Sequence, residues 1–276
     1  VKTVAQNYKT GELALVDAPV PRCAPGGVLV RTEYSLISAG TEMMKVGEAK
    51  LSLLGKVRTR PDQVKKVLES VAQQGPQATF KKVMNKLDSY TPLGYSLSGR
   101  VIEVGAGVTD FHVGQRVACA GNQYALHAEI NWVPVNMCAP VPEHVDPKQA
   151  AFTTVGAISM QGLRQAELAL GEVAVVIGLG LIGQILVQLL NASGVRVVGV
   201  DISEARCQQA ESLGAIAAAA PNGAGLDRLE SVLAELTNGA GADAVFLAAG
   251  GPTNEPVELA AKLSRDRGRV VDIGKC

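Results

Sequence analysis

Apolar and polar positions alternate along the first part of the chain. Val28, Val30 and Thr32 fall on one face and Leu29, Arg31 and Glu33 on the other, and Pro19, Pro21, Pro25, Gly26 and Gly27 bound the run. A period of two between turn residues predicts short β-strands over residues 1–40. The same pattern returns over residues 94–140, where GRVIEVGAGVTDFHVGQRVACAG predicts two strands around glycine turns and HAEINWVPV a third. Together these segments predict a small antiparallel, barrel-like domain. Residues 43–90 interrupt it at a helical period: Val64, Val67, Leu68 and Val71 recur at i, i+3, i+4 and i+7, as do Phe80, Val83, Met84 and Leu87. Pro61 suits the first turn of such a helix and Gly75 its stop.

From Pro147 the pattern changes again. KQAAFTTVGAISMQGLRQAEL reads as one long, mostly apolar helix. Strands are then predicted at 173–177, 195–200, 215–220, 242–249 and 268–274, with helices in the intervals. Strands alternating with helices of this length imply βαβ units and a parallel sheet. Two domains are expected, 1–150 and 151–276, with a helical insertion at about 43–90 in the first.

Composition narrows the function classes. Hydrophobic residues make up 47% of the chain, which is globular composition. Lys+Arg and Asp+Glu are both 26, so no global field favours nucleic acid or a membrane surface. The insertion is locally basic, with ten Lys/Arg against four Asp/Glu between Met43 and Tyr90. It reads either as a solvated helical face or as a docking surface for an anionic substrate or partner. Cys23, Cys119, Cys138, Cys207 and Cys276 are scattered and odd in number, which argues against a disulfide framework or a four-cysteine zinc lobe. They read as small core residues. No leader-like or membrane-spanning apolar run is found, so a soluble, cytoplasmic protein is expected.

The chemistry begins at GLGLIG, which follows the first strand of the second domain and opens a helix. Gly178 permits the tight turn, Gly180 lets the backbone approach a pyrophosphate, and Gly183 lets helix and strand pack closely. Leu181 and Ile182 open a helix whose N–H groups face the phosphates. Asp201 lies 18 residues past Gly183, at the end of the next strand. A carboxylate there accepts hydrogen bonds from ribose hydroxyls and repels a 2′-phosphate, so NAD is expected and NADP less so. Arg206 weakens that preference, because it could reach a 2′-phosphate. Ala249 and Gly250 end the fourth strand, where the nicotinamide half should lie.

The phrases ISAGTE (37–42), PLGYSLSGRVIEVGAGVTDFHVGQRV (92–117) and AAFTTVGAISMQGLR (150–164) precede or adjoin this loop in order. The chain resembles the medium-chain dehydrogenase/reductase superfamily, in particular the N-terminal unit of bacterial bi-domain oxidoreductases. The resemblance implies an α/β protein: a GroES-like β-rich domain, then a doubly wound Rossmann sheet, with the active site in the cleft between them. It implies an oxidoreductase passing hydride between NAD(H) and an alcohol or ketone, with Ser159 packed behind the nicotinamide. A quinone or enone reductase and a non-catalytic NAD-binding sensor or structural subunit are the alternatives.

The zinc-dependent relatives carry ligands where this chain has Ala39, Tyr95 and about Val155, with Ser96 in place of a glutamate. Alanine and valine offer no ligand atom, and neutral tyrosine is a poor one. His112, His127 and His144 are isolated and match no ligand motif. No metal is therefore expected, and hydroxyl groups must serve the reacting oxygen. Thr41 matches the position whose hydroxyl relays protons in zinc-type relatives. Tyr95 either donates a proton or hydrogen bond to that oxygen or fills the void left by zinc. Glu42 reads as structural or charge-setting. The second domain has five predicted strands where a full fold has six, so a C-terminal truncation at Cys276 is expected. A small-molecule substrate and a homodimer of the full-length form are expected, with no nucleic-acid or membrane partner.

Overall fold

The structure, a computed structural model, describes residues 1–7, 10–40, 42, 73, 75–77, 89–250 and 253–274. The predicted insertion helices lie outside the described residues, as does Thr41. The chain divides into two compact units, residues 1–154 and 155–276.

In the first unit β1 (Lys2–Asn7) is flanked by β2 (Leu13–Asp17) and β4 (Tyr90–Pro92). A second antiparallel sheet runs β7–β3–β5–β6–β8, from β3 (Gly27–Ser35), β5 (Ser96–Val104), β6 (Arg116–Ala120), β7 (Ile130–Pro134) and β8 (Cys138–Pro140). The period-two reading of β3 fits its outer half; Gly27–Val30 is buried on both faces. Val28, Val30, Leu97, Val101, Val117 and Val133 form the core of this unit. Among the described residues these strands make two sheets, with a bridge between Thr3 of β1 and Ala128.

The long helix expected from Pro147 is broken into α1 (Pro147–Ala150) and α2 (Thr153–Ala166). Asp146 caps α1 by accepting the Lys148 N–H at 2.8 Å. Its carbonyls are then taken by side-chain hydroxyls: Ser98 Oγ donates to Pro147 O and Thr153 Oγ1 to Ala150 O. Ser96 Oγ donates to Ala151 O at 2.6 Å. Hydroxyls that compete for backbone carbonyls give the chain a turn where periodicity alone predicts continuous helix.

The second unit is a parallel sheet of order β11–β10–β9–β12–β13. Its strands are β9 (Val173–Ile177), β10 (Arg196–Val200), β11 (Ala217–Ala219), β12 (Ala242–Leu247) and β13 (Ser264–Asp272). Helices α3 (Leu181–Ala192), α4 (Glu204–Ser212), α5 (Gly223–Thr237) and α6 (Glu255–Leu263) fill the connections. Every residue of β9 is buried. Ala174 and Val176 pack with Leu186, Val187 and Leu190 of α3, whereas Val173, Val175 and Ile177 pack with Leu229 and Leu233 of α5 and Leu263 of α6. Two covered faces explain why these strands read as unbroken apolar runs. β13 starts four residues earlier than expected. Its register with β12 shifts between Ala242 and Ala244, and Arg267 sits at φ 61°, a β-bulge that periodicity does not reveal. The strand order reverses between β9 and β12, the position at which open α/β sheets bind ligands beyond the carboxyl ends of their strands. Among the described residues no helix is long and apolar enough to cross a membrane.

Candidate cofactor and substrate sites

At the carboxyl end of β9 the chain turns through Gly178 at φ +95°, a conformation that favours glycine. Its N–H donates to Val200 O at 2.7 Å. A Cβ here would press on the Ala248–Ala249 backbone, 2.7 Å from the Ala248 carbonyl carbon. A Cβ on Gly183 would collide with Gly178 O, so α3 can approach β9 this closely only through glycine. At Gly180 nothing lies within 4 Å of an added Cβ. The three glycines thus divide into a turn, an open approach and a close packing contact, as a pyrophosphate cradle requires. Gly180 is the N-cap of α3 and no side chain caps it, leaving the first-turn amides at Leu181 and Ile182 to an anion. The residues fit a dinucleotide.

Asp201, directly after β10, is buried. Its Oδ2 accepts the Leu179 N–H at 2.8 Å and its Oδ1 the Ser203 N–H at 2.9 Å. A carboxylate has about four acceptor sites, so two main-chain bonds orient it and leave capacity for ribose hydroxyls. Arg206 Nη1 lies 3.5 Å from Oδ2, so the arginine sits on the carboxylate it was expected to compete with. Gln184 is a residue that motif reading passes over. Its Nε2 donates to Leu179 O at 3.1 Å and to Arg206 O at 2.8 Å, tying the glycine loop to the start of α4. Ser159 is fully buried and donates to Ile182 O at 3.4 Å, which binds α2 to the first turn of α3. Ala249 and Gly250 follow β12, across the switch point from Gly178.

In the first unit Tyr95 is buried at the entrance to β5. Its main chain is held on both sides. Tyr95 O accepts the Gly121 N–H at 3.0 Å, and Leu93 O accepts the His127 N–H at 2.8 Å. Gly94, at φ +103°, lets the two segments touch, since a Cβ there would meet His127 N at 2.5 Å. No described residue hydrogen-bonds the Tyr95 hydroxyl.

His127 is not isolated, contrary to the expectation from sequence spacing. Its Nε2 lies 3.0 Å from Glu42 Oε2 and its Nδ1 2.9 Å from Ser35 Oγ. Glu42 Oε1 accepts the Ser38 N–H at 3.1 Å, and both Glu42 and His127 are buried. The pair ties the segment that carries Glu42 to His127 and, through its ring, to Ser35 at the end of β3. Replacing Glu42 by Ala removes the partner of the buried His127 ring nitrogen, and a loss of roughly 1–3 kcal/mol in chemical denaturation is expected. An unchanged unfolding midpoint would show that the clamp is not structural.

The positions that would offer zinc do not fit it. Ala39 and Val155 have no donor atom, and the Ser96 hydroxyl is committed to Ala151 O. Among the described residues no three His, Cys, Asp or Glu side chains gather as a metal set.

Comparison with known proteins follows the same division. The family described as zinc-binding dehydrogenase matches residues 182–276, and the alcohol dehydrogenase GroES-like domain matches residues 66–143. An (R,R)-butanediol dehydrogenase of Neisseria gonorrhoeae is 24% identical over 269 residues, covering 88% of this chain and 69% of that enzyme. A D-guloside 3-dehydrogenase of Escherichia coli is 34% identical over 159 residues, 57% of this chain and 44% of that enzyme. The structure of Escherichia coli quinone oxidoreductase complexed with NADPH superposes with a TM-score of 0.73 at 19% identity, covering 100% of this chain and 73% of that one. The chain thus spans about two thirds of one curated relative and under half of the other. Both domain matches fall on the units that carry the features above, in the order expected from the sequence, and the chain belongs to the medium-chain dehydrogenase/reductase superfamily.

Proposed function

We propose that this chain is the core of a zinc-independent, NAD(H)-dependent oxidoreductase acting between an alcohol and a ketone, on a polyol- or sugar-like substrate. The observation that carries it is the glycine cradle beside an oriented, buried Asp201 carboxylate. The butanediol and guloside dehydrogenases among its relatives support the substrate class. When bound, the nicotinamide supplies a two-electron hydride acceptor or donor. Gly178, Gly180, Leu181, Ile182 and Gly183 would hold the pyrophosphate, Asp201 the adenosine ribose, and Ser159, Ala249 and Gly250 would line the nicotinamide end.

The chain's own chemistry concerns the proton. Oxidising an alcohol to a ketone removes a hydride from carbon and a proton from oxygen. Among the described residues no metal-ligand set stands ready to lower the charge on that oxygen. The Tyr95 hydroxyl takes this role, with Thr41 assisting: it hydrogen-bonds the substrate oxygen and accepts or returns its proton. A homodimer is part of the same reading.

Titration of protein fluorescence with NADH and NADPH tests the cofactor assignment. NADH is expected to bind at least ten times more tightly. Asp201→Ser removes hydrogen bonds to a charged acceptor, worth roughly 1.5–3 kcal/mol, so NADH affinity should fall ~10- to 100-fold and the gap to NADPH narrow. Equal affinities in the unaltered chain would overturn the NAD preference. Failure of both nucleotides to bind would overturn the dehydrogenase reading.

A further inference from the structure

Five scattered cysteines give no pairing signal in the sequence, yet the second sheet of the first unit brings two of them together. Cys119 in β6 and Cys138 in β8 stand directly opposite each other in antiparallel register, with Val117–Pro140 and Ala118–Ala139 as the neighbouring pairs. Residues opposed in this way have Cα atoms about 4.5–5.5 Å apart, inside the roughly 4.4–6.8 Å that a disulfide spans. The two Sγ atoms are 3.8 Å apart, and both cysteines are free thiols. We propose that Cys119 and Cys138 form a peroxide-oxidisable dithiol that closes reversibly to a cross-strand disulfide.

The pair is asymmetric in the way this chemistry needs. Cys119 is buried, whereas Cys138 is partly open to solvent. The hydrogen bond between the two sulfurs holds the Cys138 thiol below its ordinary pKa, and the same bond together with burial pushes Cys119 up. Cys138 is therefore the more readily deprotonated of the two sulfurs. That tendency and its access make Cys138 the atom that peroxide meets first.

In the first step the Cys138 sulfur attacks one peroxide oxygen. An S–O bond forms, the O–O bond breaks, and the departing hydroxide takes a proton to leave as water. In the second the Cys119 sulfur attacks the sulfenic sulfur of Cys138. The S–S bond forms, the S–O bond breaks, and the hydroxyl leaves as a second water with the Cys119 proton. Two thiols are oxidised by two electrons and one peroxide is reduced to two waters. Small side-chain rotations suffice to close the gap, at the expense of the 3.6 Å contact from Cys138 Sγ to Pro134 O. Cys23 and Cys207 offer no such route: neither has a sulfur partner among the described residues, and burial raises both thiols.

The test uses the full chain treated with graded hydrogen peroxide, followed by alkylation and peptide mapping without reduction. It does not depend on cofactor or substrate. The expected product joins the peptides bearing Cys119 and Cys138 with loss of two hydrogens, and dithiothreitol restores both thiols. Cys119→Ser should leave Cys138 trapped as a sulfenic acid that dimedone captures. Cys138→Ser should leave Cys119 unreacted at the same dose. Overturning results, read on the unaltered chain, are a Cys138 carried to sulfinic acid while Cys119 stays reduced, a disulfide to any other cysteine, or two unmodified thiols at a peroxide dose that fully oxidises a small dithiol.

Discussion

Replacing Tyr95 by Phe is expected to lower kcat/KM by ~10²-fold or more while leaving NADH affinity unchanged, the magnitude usual for a lost proton-transfer or oxyanion contact. The expectation rests on placement. The backbone on either side of Tyr95 is pinned by the Gly121 and His127 amides, and Gly94 admits no side chain that would loosen it. A buried ring held this firmly keeps its position when only the hydroxyl is removed, so Phe changes chemistry rather than packing. Steady-state kinetics with a polyol substrate, alongside NADH titration, reads the two quantities apart. Undiminished turnover would reduce Tyr95 to a space-filling residue. A loss of NADH affinity in parallel would point to a packing defect instead.

The cofactor unit should be equally sensitive at Gly183. Gly183→Val drives a branched side chain into Gly178 O, and α3 must move away from β9. Overpacking in a well-packed core costs about 1–3 kcal/mol, and here the obstacle is backbone, which cannot rotate aside. The melting temperature should fall by several degrees and NADH binding should be lost. Gly180→Ala is the informative partner. Its φ of −71° suits any residue and its Cβ meets nothing, so the fold should be retained. Any loss of affinity there would then report on the open space over the loop. Calorimetry and titration of both variants separate the roles; a Gly183→Val protein as stable as the parent would contradict the packing argument.

Much of this was legible before the fold. The apolar run at 173–177, the glycine spacing after it and the carboxylate at 201 form a local signal, because each βαβ step is set by residues close in sequence. Burial of β9 on both faces is written into VAVVI itself. The insertion helices and Thr41, by contrast, lie outside the described residues, and their readings stand as sequence expectations. Where local patterns misled, the cause was a competing hydrogen bond or a bulge. The hydroxyls of Ser96, Ser98 and Thr153 split one expected helix into two, and a register shift at Ala242–Ala244 lengthened β13.

The sequence alone thus determined the β-rich first unit, the parallel sheet of the second and the glycine loop after β9, since these depend on periodicity and on glycine's missing Cβ. Only the tertiary structure decided which distant groups meet. Glu42 and His127 are 85 positions apart and share a buried hydrogen bond. Cys119 and Cys138 are brought into register by β6–β8 pairing, and Gln184 reaches both the glycine loop and Arg206. Such partners are chosen by sheet register and by the need to satisfy every buried polar group, and neither leaves a periodic trace along the chain.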